Sequence, residues 1–253
     1  MTKSLARARK IFLPALLAAL SALAPSPMAR VQQRKADAEQ TEKAVERSEN
    51  AARILTTVVV MGEKGIPREL LDQARAVAVF PHVVKAKVLF QHLTAGFGVI
   101  SRRLPDGWGP PAYYTFSGVG LTPSVAGGEA ADFIMLFMND AAVDWFQKGR
   151  LELKDEKKAV AGPIGTVPAD GADKIAAANI LLYKLDDGRL AGVGASSDLL
   201  FKSFLVVPDN KLNKAIYNAK SRDTLAGRAP LPQNAPPRVM AFQQALTRHL
   251  PPR

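Results

Sequence analysis

Lys85, Lys87 and Lys202 are the side chains of this sequence best suited to hold a ligand, because each is a cation set among apolar neighbours. Lys85 and Lys87 follow Val83-Val84, and Lys202 lies between Phe201 and Phe204. A long aliphatic stem can lie along apolar surface while its ammonium reaches a phosphate, the arrangement that a lipid headgroup site requires. Alternate lysines also suit the solvated face of a half-exposed strand, and pattern alone favours that plainer origin. Other chemistry is sparse. His82, His92 and His249 are the whole imidazole supply, and none stands at metal-ligand spacing from another. The absence of cysteine removes disulfides, thiolate metal sites, a thiol nucleophile and a lipid-modified cysteine anchor. No nucleophile elbow or Walker loop occurs, and Gly118-Val-Gly120 and Gly192-Val-Gly194 lack the third glycine of a dinucleotide fingerprint. Those strand glycines are expected to mark bulges or close backbone approach. Asp170 and Asp173 about Gly171, and Asp186-Asp187 before Gly188, read as turns, since a calcium loop needs alternating oxygen ligands and a distal Glu. No catalytic, cofactor or metal site is expected, and the chain does not read as an enzyme.

The ends carry the charge. The formal net charge is +11, but residues 1–29 hold four Lys/Arg and no acid, and residues 209–253 hold eight Lys/Arg and two acids. The part between is close to neutral, which argues against a nucleic-acid groove and is compatible with attraction to an anionic membrane surface. Residues 1–29 read as a signal peptide: Lys3, Arg7, Arg9 and Lys10 precede an apolar run from Ile11 to Ala24, too short for the roughly 20 residues of a spanning helix. Export to the periplasm, with residence there or at the outer membrane, is the matching expectation. With 47% hydrophobic residues, the rest has enough apolar material for one core.

Several elements must position the lysines. Residues 30–50 lead into an amphipathic helix with Val45, Ala52, Leu55 and Val59 on its stripe, expected to pack on the domain rather than on a bilayer. Pro67 opens a short second helix carrying Leu70, Leu71 and Ala74. Val77-Ala-Val-Phe-Pro-His-Val-Val-Lys85 reads as a buried strand that Pro81 ends or edges. Pro105-Asp106-Gly107 and Asp187-Gly188 are hairpin turns. Asp132 to Met138, continuously apolar after its first residue, reads as a central strand buried on both faces. Asn139 or Asp140 caps a helix that stops at Gly149, and Asp209 caps another. A proline-rich, basic tail from residue 228 to 253 ends in a short helix with Val239, Phe242, Ala245, Leu246 and Leu250 on one side.

Five blocks occur in order: Ile66 to Pro81, Val83-Val-Lys-Ala86, Asp132 to Asn139, Val160-Ala-Gly-Pro-Ile-Gly165 and Gly188-Arg-Leu-Ala-Gly-Val193. Together they resemble the SYLF domain, a lipid-binding module of bacterial exported proteins and of eukaryotic membrane and actin regulators. The resemblance runs from about Ala51 to about Gly227, within a domain placed at residues 30–227. It departs from the pattern after Lys85, where Ala86-Lys-Val-Leu-Phe-Gln-His92 precedes Gly96-Phe-Gly98, and again at Leu182 to Asp187. The resemblance and the strand pattern together imply an α+β fold with a largely antiparallel, curved or barrel-like sheet flanked by helices. The resemblance also implies non-enzymatic lipid binding in the cell envelope, with anionic phospholipid at a membrane surface as partner. Lys85 falls inside the motif, and Lys87 and Lys202 are the companion candidates. A protein-interaction or structural module of the envelope is the alternative.

Overall fold

The structure, a computed structural model, describes residues 27–88, 91–120, 130–147, 151–153, 159–193, 203–230 and 236–251. The expected leader up to residue 26, Gly149 and Lys202 lie outside them. In chain order the elements are α1 (Pro27–Val60), α2 (Arg68–Gln73), β1 (Ala76–Val88), β2 (Gln91–Leu104), β3 (Gly107–Trp108), β4 (Ala112–Gly120), β5 (Ala130–Phe137), α3 (Asp140–Gln147), β6 (Leu151–Leu153), β7 (Ala159–Ala161), α4 (Ala172–Ala176), β8 (Ile180–Asp186), β9 (Arg189–Gly192), β10 (Ser203–Pro208), α5 (Asn210–Tyr217), α6 (Ser221–Leu225) and α7 (Ala241–His249). The chain divides into two compact units at Glu39. Residues 30–39, in the first, are all exposed. Everything that follows concerns the second unit, from Gln40 onward.

The strands join in the order β6-β10-β4-β2-β1-β5-β8-β7, with β3 on β2 and β9 on β8. Among the described residues only the β7 to β8 pairing is parallel. The two ends of this order, β6 and β7, are consecutive in the chain and separated by five residues. Eight strands laid flat would hold their edges about 34 Å apart, whereas that linker reaches roughly 21 Å. The sheet is therefore curled, as the expected curved or barrel-like α+β architecture requires.

Both faces of the curl are buried, which explains why the central strands read as unbroken apolar runs. Val77 and Val79 of β1, with Ile134 and Leu136 of β5, face a core shared with α1, α2, α5 and α7. Their neighbours Ala76, Ala78, Phe80, Phe133, Met135 and Phe137 fill the second core with α3 and α6. From Ala76 to Phe80 and from Phe133 to Phe137, alternate residues thus serve opposite cores. The stripe of α1 packs on the domain as expected, Val45 and Leu55 buried and Ala52 and Val59 partly buried against the same core, and Val58 joins them.

Pro81 does not end its strand. β1 continues to Val88, and its register shifts against both β2 and β5 between residues 79 and 84. A proline has no amide hydrogen for the ladder, so the chain absorbs it in a bulge rather than stopping. His82 completes the bulge with a left-handed φ of 49°, and its amide donates to Asp132 Oδ1 at 2.8 Å. Caps fall where the sequence placed them: the Ala142 amide donates to Asn139 Oδ1, and the Leu212 amide to Asp209 Oδ1. Residue Pro67 stands just before α2 rather than inside it.

The terminal helix is docked. Val239, Phe242 and Leu246 lie in the core under α1, the Phe242 amide donates to Ser48 Oγ, and Trp108 Nε1 donates to the Leu250 carbonyl at 2.7 Å. Arg103 stacks its guanidinium 4.4 Å from the Trp108 ring and reaches the Pro251 carbonyl. Among the described residues no helix is long and apolar enough to cross a membrane.

Candidate functional site

Residues two apart on a strand share a face, so Val99, Phe97 and Ala95 of β2 line up on the side where α1 packs. Val99 is buried there, but Phe97 is 55% exposed, and Val84, paired with Ala95 across the β1 to β2 ladder, is 41% exposed. The helical cover thus stops at the β1 bulge, and the sheet runs on without it. The intervening Gly96 and Gly98 are glycines for want of room. A Cβ on Gly96 would stand 2.6 Å from Val83 Cγ2, and one on Gly98 would stand 2.3 Å from the Val79 carbonyl oxygen. The bulged β1 crowds β2 at this point, and Phe97 takes the outward position between them.

A groove of about 550 Å³ opens here, walled by α1, the bulge and the start of α5. From α1 come Lys43, Glu46 and Arg47, from the sheet His82, Val84 and Phe97, and from the α5 corner Asp209 and Lys211. Arg47 ties the walls together. Its guanidinium lies 4.3 Å from the centre of the Phe97 ring and donates to Asp209 Oδ2 at 2.8 Å. The same carboxylate caps α5 through its other oxygen, so one aspartate fixes both a helix start and the groove's central cation. Cation and ring pairs contribute about 0.5–1 kcal/mol at exposed sites and more where desolvated, and the Arg47 side chain is only 13% exposed.

The groove presents an aromatic face and a valine beside three cations and two carboxylates, with no paired nucleophile and base among them. Among the described residues no group of His, Cys, Asp and Glu could hold a metal ion. An apolar floor rimmed by an excess of positive charge fits an amphiphile with an anionic head.

The sequence-expected lysines fall beside this groove in part. Lys85 directly follows Val84 and pairs with Thr94, and Lys87 pairs with His92, so both backbones continue the groove's floor along β1. Their side chains, and all of Lys202, lie outside the described residues. Sequence reasoning missed Lys43, Arg47, Phe97 and Lys211. The available signal was Gly96-Phe97-Gly98, an aromatic residue in a strand between two glycines that mark close backbone approach.

Residues 118–249, just over half of the chain, match the family described as Ysc84, Las17-binding protein actin regulator. Protein YSC84 of Saccharomyces cerevisiae is 29% identical over 216 residues, which cover 80% of this chain and 44% of that protein. LAS seventeen-binding protein 3 of the same yeast is 29% identical, covering 75% of the chain and 42% of the relative. SH3 domain-containing YSC84-like protein 1 of Homo sapiens is 28% identical, covering 68% and 49%. The chain spans under half the length of each of these relatives. No solved structure matches it.

Proposed function

The chain belongs to the Ysc84 family, the SYLF-domain family its sequence blocks resemble, and from that membership we propose that it is a non-enzymatic binding protein whose partner is anionic phospholipid at a membrane surface. One observation carries the proposal: Phe97 and Val84, exposed on an uncovered stretch of sheet, stand beside Lys43, Arg47 and Lys211. Apolar side chains at the rim of a bilayer gain from leaving water, and each lysine or arginine near an anionic surface adds about 1 kcal/mol. Lys85 and Lys87 extend the basic strip along β1 in this proposal. The proposal takes the basic N-terminal segment as an export leader, which would bring the protein to the periplasmic or outer-membrane surface.

Cosedimentation with phosphatidylglycerol vesicles tests it. The protein should pellet with them, pellet far less with phosphatidylcholine, and be released by salt, because the electrostatic part is screened within about 10 Å at 0.1 M. Phe97→Ser should weaken binding about fivefold to tenfold with the melting temperature little changed, since the ring is exposed. Lys85→Gln with Lys87→Gln should do the same if those ammonium groups share the contact. Equal pelleting with both lipids, or none with either, overturns the proposal. A second partner class is favoured by the family description itself, which names a Las17-binding actin regulator. A protein partner would be captured by crosslinking without lipid and would survive exchange of phosphatidylglycerol for phosphatidylcholine.

A further inference from the structure

Resting on that lipid-binding proposal, we propose that the groove is proton-regulated, His82 acting as the switch that strengthens its hold on a phospholipid headgroup phosphate in mildly acidic surroundings.

The bulge in β1 gives His82 its place. A strand residue would alternate between the two faces, but the register shift at Pro81 takes His82 out of the ladder and leaves it exposed at the groove wall. Its backbone is held there, in a left-handed conformation that non-glycine residues seldom adopt, by the hydrogen bond from its amide to Asp132. Strain of this kind persists only where the surroundings over-determine it. His82 thereby lines the groove and belongs to neither core.

The charges facing it decide what a proton does. From α1 come Lys43, Glu46 and Arg47; from the α5 corner, Asp209 and Lys211; from β5, Asp132, which holds the His82 amide. Arg47 and Asp209 are committed to one another at 2.8 Å. These groups balance, three cations against three carboxylates, and a proton on the imidazole adds one positive charge. Imidazole is the side chain whose ordinary titration falls between pH 5 and 8, and carboxylates as a class titrate below that window. An anionic headgroup thus meets a groove with one more positive charge on the acidic side, with its apolar floor unchanged.

One added charge near an anionic surface corresponds to about a fivefold change in affinity. Vesicles of phosphatidylglycerol in phosphatidylcholine keep the same lipid charge between about pH 7.5 and about pH 5.5, so binding measured at both values reads the protein alone. The parent should bind about fivefold more tightly at the acidic value. His82→Asn, chosen because asparagine tolerates the left-handed backbone, should bind nearly equally at both, with an unchanged melting temperature. His249→Gln, on α7, serves as the control and should keep the parent's response. A parent response that is flat, or one that His82→Asn retains in full, overturns the switch. Failure to bind these vesicles at either pH would instead remove the lipid proposal beneath it.

Discussion

At the scale of single residues, the family blocks are largely a record of close approaches. Gly162 has an ordinary backbone, yet a Cβ there would stand 1.9 Å from Tyr183 Cζ, and one on Gly192 would stand 2.1 Å from the Gly162 carbonyl oxygen. At this point β7 leaves the edge of β8 and β9 takes it over, both the Gly162 and the Val193 amides donating to the Leu182 carbonyl. Gly188 differs in kind: it turns the hairpin with φ of 74° and has nothing within 4 Å of where a Cβ would be. Gly162→Ala should therefore cost about 1–3 kcal/mol or more by overpacking. Gly188→Asn should stay within about 0.5 kcal/mol, because asparagine tolerates the turn and meets no neighbour. Urea midpoints at unchanged slope check both, and equal losses at the two positions would contradict the steric account. That strand glycines mark close approach was legible in the sequence. Which atoms they admit was not, because Tyr183 lies 21 positions from Gly162.

At the scale of elements, α7 shows what periodicity can and cannot say. Its stripe of Val239, Phe242, Ala245, Leu246 and Leu250 was plain in the sequence, but nothing local tells whether such a stripe rests on protein or on lipid. Tertiary contacts answer it: Ser48, Trp108 and Arg103, each more than 140 positions away, hold the helix to α1 and the sheet. The exposed pair Arg238 and Glu49 adds an anchor, and the guanidinium holds the Glu49 carboxyl below its usual range. Removing everything after Gly227 should therefore abolish cooperative unfolding rather than strip off a tether, and Phe242→Ala alone should cost about 3–5 kcal/mol. A truncated chain that melts like the parent would show that the helix is an appendage. The groove escaped the sequence for the same reason. Its walls come from residues 40–50, 81–97 and 209–211, and only the curl of the sheet brings them together. Hairpins, caps and the doubly buried β5 were legible because each rests on contacts within a few residues or on hydrophobic pattern alone.

At the scale of the whole molecule, the two cores share an alkaline weakness. The protein has four tyrosines, and Tyr113, Tyr114, Tyr183 and Tyr217 are all buried, Tyr114 in the core with α3 and α6 and the others in the core under α1. Burial pushes every one of these phenols upward, and the charge of Glu69 pushes Tyr183 further. In the unfolded chain a phenol releases its proton near pH 10. Above that value the unfolded state binds fewer protons than the folded one, so stability is intact below about pH 10 and falls as pH rises beyond it, by up to about 1.4 kcal/mol per pH unit for each tyrosine. Four together approach about 5–6 kcal/mol per unit, and against a net stability of about 5–15 kcal/mol this unfolds the domain within roughly one to three units. Tyrosinate absorbance should stay flat until circular dichroism collapses, and then rise for all four at once. Tyr183→Phe isolates one share of this slope, because its hydroxyl is buried without a hydrogen-bond partner among the described residues. The variant should match or exceed the parent in urea at neutral pH, since no hydrogen bond is lost, and its stability should fall about a quarter less steeply above pH 10. A stepwise rise in absorbance while the fold is intact, or an unchanged slope in Tyr183→Phe, would mean that these phenols reach solvent without unfolding.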